Sequence, residues 1–257
     1  MPDLAAKLPA SLAARTRDVR LLDGRVPALL VDPIRPEDDR RKPPMLLWLH
    51  GRTVDRFLDP GRHLRLMRAG IGVCAIDLPG HGDRFDASLQ RPEEVPRLIQ
   101  AALDEVDSVT AAAVKEGGFD RDRLAIGGMS AGGMVTLARL GMPHPFRAAV
   151  IECSAGSWRR LPWWPLASRI AHLDPIARAS TWPPIPLLAL HNAGDEWIPL
   201  AAQREFIEAI RPRSADPSEV ELVVYEKTGA PQEHAGFGRF AADAKDRLVA
   251  FLRRHLA

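Results

Sequence analysis

The sequence predicts an α/β fold with a mostly parallel central sheet and helices on both faces. Three observations lead there. From residue 43 onward, short apolar runs alternate with segments of helical periodicity. The runs are nearly unbroken in Leu, Ile, Val and Ala, as strands covered on both faces require. Gly and Pro punctuate the boundaries.

The elements follow in order. "RDVRLLDGRVPALLVDP" reads as two strands around Asp23-Gly24, a hairpin signal. "PPMLLWLHG" is a buried strand ending in His50-Gly51, and "GRHLRLMRAG" a helix closed by Gly70. "IGVCAIDLPGHG" is a strand stopped by Pro79 and Gly80. A long helix follows, with Leu98, Ala102, Val106, Val109 and Ala113 at helical spacing, acidic residues at its start and Gly117-Gly118 at its end. "RLAIGG", "FRAAVIECSAG", "IPLLALHNAGD" and "VELVVYEKTG" are further strands. They are followed or separated by helices in "AGGMVTLARLG", "LAAQREFIEAIR" and the amphipathic "GRFAADAKDRLVAFLRRHL". Residues 156–184 break the alternation. They hold four of the six tryptophans and read as a short cap insertion containing a helix or two.

The bulk composition narrows the function class. At 257 residues and 46% hydrophobic, the chain fits one domain, 1–257, with a sizeable core. A net charge of +2 and no basic stripe with interleaved aromatics argue against nucleic acid as a partner. No apolar stretch approaches a membrane span, and the first residues lack a signal-peptide core. The expectation is a cytoplasmic protein with no membrane partner, and nothing sets its oligomeric state. Cys74 and Cys153 both lie in apolar runs and read as buried free thiols.

Ligands of such sheets bind beyond the carboxyl ends of the strands, and the chemistry-bearing residues gather there. "GGMSAGG" fits G-x-S-x-G between a strand and a helix, the setting of a nucleophile elbow around Ser130. The competing interpretation is a glycine turn with serine as helix N-cap. A serine hydroxyl needs a base, and the base an orienting acid. Downstream, Asp195 in "HNAGDEWIP" is the candidate acid, with Glu196 its rival. His234 in "KTGAPQEHAGFG" is the candidate base. For a developing oxyanion the candidate donors are the backbone N–H groups of Ala131 and Arg52, with Thr53 the alternative to Arg52. The Arg52 guanidinium is alternatively placed to steer an acidic substrate. His50 and His191 read as structural. Asp77 and His81 in "DLPGHGDR" read as architectural, with a second acid/base pair as the alternative, and Asp83 and Arg84 as a local ion pair or part of the mouth. Trp158, Trp163 and Trp164, with Thr53, are candidate walls of a substrate pocket; these tryptophans and Trp182 equally suit walling it or pinning a Pro-rich segment to the core.

The stretches "LLWLHGR", "CAIDLPGHGDR", "IGGMSAGG", "LLALHNAGDEWIP" and "QEHAGFG", in this order, resemble the α/β-hydrolase superfamily along nearly the whole chain. Within it, the chain is similar to small esterases related to the prolyl oligopeptidase and dienelactone hydrolase groups. It departs from the first in having no room for a large N-terminal propeller, and from the second in carrying a serine where a cysteine is usual. It also lacks a His-Gly-Gly-Gly motif. The resemblance implies a Ser-His-Asp hydrolase on Ser130, His234 and Asp195 that uses no metal or organic cofactor. Its expected substrate is a small-molecule carboxylic ester. The alternatives are a peptidase or acyl-aminoacyl hydrolase with the same residues, or a catalytically silent hydrolase fold acting as a binding protein.

Overall fold

The computed structural model describes residues 4–163 and 168–257. Its first described elements are two short helices, α1 (Leu4–Lys7) and α2 (Ala10–Ala13), which the mixed N-terminal sequence does not announce. They form because Leu8 and Leu12 find an apolar surface to cover. The expected hairpin follows as β1 (Thr16–Leu21) and β2 (Val26–Val31), paired antiparallel. Its turn uses positive φ at Leu22, Asp23 and Gly24. Next come β3 (Met45–Leu49), α3 (Pro60–Arg68), β4 (Gly72–Ile76), α4 (Val95–Gly117), β5 (Leu124–Met129), α5 (Ala131–Leu140) and β6 (Phe146–Glu152). The chain ends with β7 (Leu187–Asn192), α6 (Leu200–Ile210), β8 (Val220–Tyr225) and α7 (Ala241–Leu256).

The strands form one sheet in the order β1-β2-β4-β3-β5-β6-β7-β8. β2 runs antiparallel to β1 and to β4, and every other neighbour is parallel. Strands β2 to β7 are buried at every position except Arg147 near the start of β6, which accounts for their nearly unbroken apolar runs. Two apolar layers flank the sheet. One packs Leu98, Val106 and Val109 of α4, Val135 and Leu137 of α5 and Phe206 of α6 against it. The other packs Leu66 and Met67 of α3 with Leu248 and Leu252 of α7. Burying one such side chain stabilises the fold by roughly 1.5–3 kcal/mol relative to leaving it exposed.

The long helix α4 stops where its sequence indicates. Gly118 adopts φ 65°, ψ 25°, and its N–H donates to the Val114 carbonyl. The insertion holds only short helical turns among its described residues. Its described residues form 3-10 turns at Trp158–Arg160, Ser168–Leu173 and Pro175–Thr181, with no α-helix among them. The segment is anchored by Asp174, which accepts from the Trp158 N–H at 3.1 Å, and by Trp182, packed edge-on to Phe206 at 4.9 Å. No helix of the described residues is long and apolar enough to cross a membrane.

Candidate active site

Ser130 lies between β5 and α5 with φ 53° and ψ −118°, a conformation rarely tolerated outside glycine. Its N–H donates to the Glu152 carbonyl at 2.9 Å, and its carbonyl accepts from Ser154 Oγ at 2.9 Å and the Met134 N–H at 3.0 Å. The strained backbone is thus held from both sides. The serine makes no side-chain cap bond to α5, so the N-cap interpretation does not describe it. The flanking glycines are steric requirements. A Cβ on Gly128 would lie 2.5 Å from the Gly132 carbonyl carbon and 2.7 Å from the Leu49 oxygen. One on Gly132 would collide with the Leu49 and His50 carbonyl oxygens.

Freed from capping, the Ser130 hydroxyl donates to His234 Nε2 at 3.0 Å. His234 Nδ1 in turn donates to Asp195 Oδ2 at 2.7 Å. The carboxylate can only accept, which places the ring proton on Nδ1 and leaves Nε2 as the acceptor. Asp195 Oδ1 accepts from the Trp197 and Ile198 N–H groups at 2.9 and 2.7 Å, fixing the carboxylate in its turn. Asp195 and His234 are buried and Ser130 is half-buried. Glu196, the rival acid, is exposed and lies outside this chain of bonds.

The loop after β3 is set by His50. Leu78 N–H donates to His50 Nε2 at 3.0 Å, so Nδ1 donates to the Gly51 carbonyl at 2.6 Å. Burial pushes this histidine down to about 3, in keeping with a neutral ring. Because a trans peptide points its C=O and N–H in opposite directions, holding the Gly51 carbonyl also fixes the direction of the Arg52 N–H. Gly51 adjoins the serine: a Cβ there would stand 3.4 Å from Ser130 Cβ. The Ala131 N–H, at the first position of α5, has no acceptor within the helix. Arg52, Thr53 and Ala131 all line the cavity onto which Ser130 opens. The Arg52 guanidinium donates to the Gln90 carbonyl at 2.5 Å, tying the rim of the cavity to that loop.

That cavity has a volume of about 960 Å³. Its apolar wall includes Val54, Leu58, Met134, Trp163, Ile198 and Phe237. Trp163 lies in this wall. Trp158 is not among the lining residues: it is fully buried, and its indole N–H donates to the Ala155 carbonyl at 3.1 Å. The reason is position. Trp158 comes six residues after the end of β6 and is fully enclosed in the core, whereas Trp163, five residues further along the insertion, packs on the same core but also faces the cavity. Trp164 lies outside the described residues.

Other sequence expectations resolve clearly. Asp77 is buried and accepts from the Arg56 N–H at 2.9 Å, Arg56 Nη1 at 2.5 Å and the Asp83 N–H at 2.9 Å, an architectural role. His81 donates to the Pro79 carbonyl at 2.9 Å. Asp83 and Arg84 do not pair with each other: Asp83 meets Arg20 and Arg56, and Arg84 meets Glu105 at 2.6 Å. Neither lines the cavity. His191 Nε2 donates to the Ile198 carbonyl at 2.9 Å and supports the acid loop from beneath.

Sequence reasoning missed two kinds of functional neighbour. Asn192, buried at the end of β7, donates through Nδ2 to the Glu233 and Gly236 carbonyls at 2.7 and 2.8 Å, clamping the loop that carries His234. The cavity wall also holds charged groups: Arg62 grips Glu152 at 2.6 Å and reaches Asp59 at 3.3 Å, and Lys245 meets Asp59 at 3.1 Å. A glutamate inside the apolar run "AAVIEC" was the available signal for the second. Nothing local marked the first.

Cys153, Asp195 and His234 offer ligand atoms within 4.8 Å of one another, a possible metal triangle. Burial, then the charge of Asp195, pushes the Cys153 thiol well above its ordinary range. It is thus held protonated, poorly suited to bind a metal, and the other two groups already serve the serine.

With this geometry in view, similarity to known proteins becomes informative. Residues 62–257 match the model of the prolyl oligopeptidase family. The chain belongs to that family. It is 24% identical over 254 residues to esterase YjfP of Escherichia coli (strain K12), covering 90% of this chain and 96% of that protein. TT1662 from Thermus thermophilus superposes with a TM-score of 0.70 at 25% identity, covering 93% of this chain and 98% of its own. A puromycin-hydrolyzing peptidase of Mycobacterium tuberculosis superposes with a TM-score of 0.71 at 22% identity, over 95% of this chain but 40% of the peptidase. The fold is thus that of the α/β hydrolases, and this family member spans about two fifths of that peptidase.

Proposed function

We propose that the protein is a carboxylic-ester hydrolase working through an acyl-enzyme on Ser130. The observation that carries this reading is the unbroken chain from Ser130 Oγ through His234 to Asp195, opening onto a largely apolar cavity. His234 Nε2 takes the proton as Ser130 Oγ bonds to the ester carbonyl carbon, and Asp195 stabilises the imidazolium. The Ala131 and Arg52 N–H groups receive the negative charge that develops on the carbonyl oxygen. As the tetrahedral intermediate collapses, His234 returns the proton to the departing alcohol. It then activates water, which attacks the acyl carbon and releases the acid.

One finding supports ester over peptide substrates: the relative matched over nearly its whole length is named an esterase. Membership of the prolyl oligopeptidase family favours the second reading, an aminoacyl or peptide hydrolase with the same residues. The intact hydrogen-bonded chain argues against a silent binding protein. The short insertion suits small or medium esters, and we place the enzyme in the cytoplasm.

A fluorophosphonate probe tests the chemistry. Labelling of the wild type that disappears in Ser130→Ala is expected; no labelling, or labelling that survives the substitution, refutes the serine-hydrolase mechanism. A panel of p-nitrophenyl esters against aminoacyl anilides then separates the two substrate classes, and faster anilide cleavage would overturn the esterase reading.

A further inference from the structure

Trp197 stands two positions past Asp195 on the loop between β7 and α6. Its indole centroid lies 4.8 Å from that of the His234 imidazole, with the planes tilted by 41°. The residue is 47% exposed and lines the cavity. Core packing therefore does not account for it, unlike Trp158 and Trp182, which are buried completely or nearly so. Nor does local backbone structure: its N–H bond to Asp195 would form with any non-proline residue here.

We infer that Trp197 is a positioning residue whose indole stabilises the protonated form of His234. The inference rests on the serine-hydrolase reading above. An indole face is electron-rich and attracts a cation whose centre lies within about 6 Å of the ring. The neutral imidazole of the resting enzyme gains little from it. The imidazolium that forms when the Ser130 Oγ–H bond breaks and its proton passes to Nε2 gains more. Such a contact favours the transition state over the ground state, which is what raises a rate.

Other groups also face this imidazole. Asp195 is bonded to it at 2.7 Å, and His191 Nε2 lies 3.9 Å from the same carboxylate oxygen. The Cys153 thiol lies within 4.8 Å of both Asp195 and His234. Glu196 lines the same cavity, while the neighbouring Glu233 carboxylate is occupied by Thr228 and Gly229. The indole makes none of these contacts, so replacing it removes none of them.

The test is the pH profile of kcat/KM for a p-nitrophenyl ester, measured on wild type, Trp197→Leu and Trp197→Phe. Removing the aromatic face withdraws that contact from the imidazolium. The acid limb in Trp197→Leu is expected to move down by about half to one pH unit, with a fall of about three- to tenfold on the plateau. Trp197→Phe should restore most of both. An unmoved acid limb in the leucine variant, or phenylalanine and leucine variants that behave alike, overturns the inference. Fluorophosphonate labelling keeps the two readings apart. A wild type that fails to label sinks the hydrolase itself, whereas labelling with an unmoved acid limb sinks only the role of Trp197.

Discussion

Asn192 donates to the Glu233 carbonyl at 2.7 Å, joining the last residue of β7 to the residue before His234. A second bond from the same amide nitrogen, to the Gly236 carbonyl, closes the clamp on the other side of the histidine. The imidazole has to meet both Ser130 and Asp195, and a loop held only by its own turns would not keep it there. Asn192→Asp replaces the donor by acceptors facing two carbonyls. It is expected to lower kcat/KM by about a hundredfold, as a misplacement near 1 Å would. Circular dichroism should show an unchanged fold. Near-wild-type activity would show that the clamp is dispensable.

The chain from Ser130 to Asp195 predicts graded losses. Ser130→Ala and His234→Ala should each lower kcat by about four to six orders of magnitude, and the double variant should lose little more. Asp195→Asn should cost about three to four orders, because the imidazole would lose its preferred tautomer. Steady-state kinetics on a p-nitrophenyl ester reads all of them. Additive losses in the double variant would argue that the residues do not act as a unit.

Gly132 tests the steric argument at the elbow. Gly132→Ala drives a methyl group into the Leu49 and His50 carbonyls. A loss of about 1–3 kcal/mol or more in urea unfolding is expected, together with loss of fluorophosphonate labelling. Full labelling at unchanged stability would mean that the turn can relax.

The two tryptophans of the insertion should separate by effect. Trp158→Ala empties a fully buried site and is expected to cost about 3–5 kcal/mol in urea unfolding. Trp163→Ala enlarges the cavity wall; it should shift preference among p-nitrophenyl esters toward longer acyl chains. Identical effects on stability and chain preference would contradict this division.

Buried histidines give a pH dependence of stability. Burial pushes both His50 and His63 down to about 3 in the folded chain, against about 6.5 when unfolded. Between those values the unfolded chain binds more protons, so stability is full above about pH 6.5 and falls as the pH drops toward 3. Each histidine contributes about 1.4 kcal/mol per pH unit within that window. Urea midpoints at pH 7 and 5 should therefore decline, and His63→Leu should flatten the decline. A slope unchanged in that variant would refute the assignment.

The order of the strands' apolar runs and the placement of Ser130, Asp195 and His234 after three of them were legible from local sequence. Periodicity reports burial, and glycine reports where backbone leaves no room for a side chain. These signals fixed the α/β class, the hairpin and the elbow, because each depends on residues near one another in the chain. Tertiary structure decided what depends on distant partners. It sent Trp158 to the core and Trp163 to the cavity, separated Asp83 from Arg84, set Trp197 against His234, and gave Asn192 its clamp. A side chain's neighbours are set by how strands far apart in sequence come to lie side by side, and no local pattern encodes that distance.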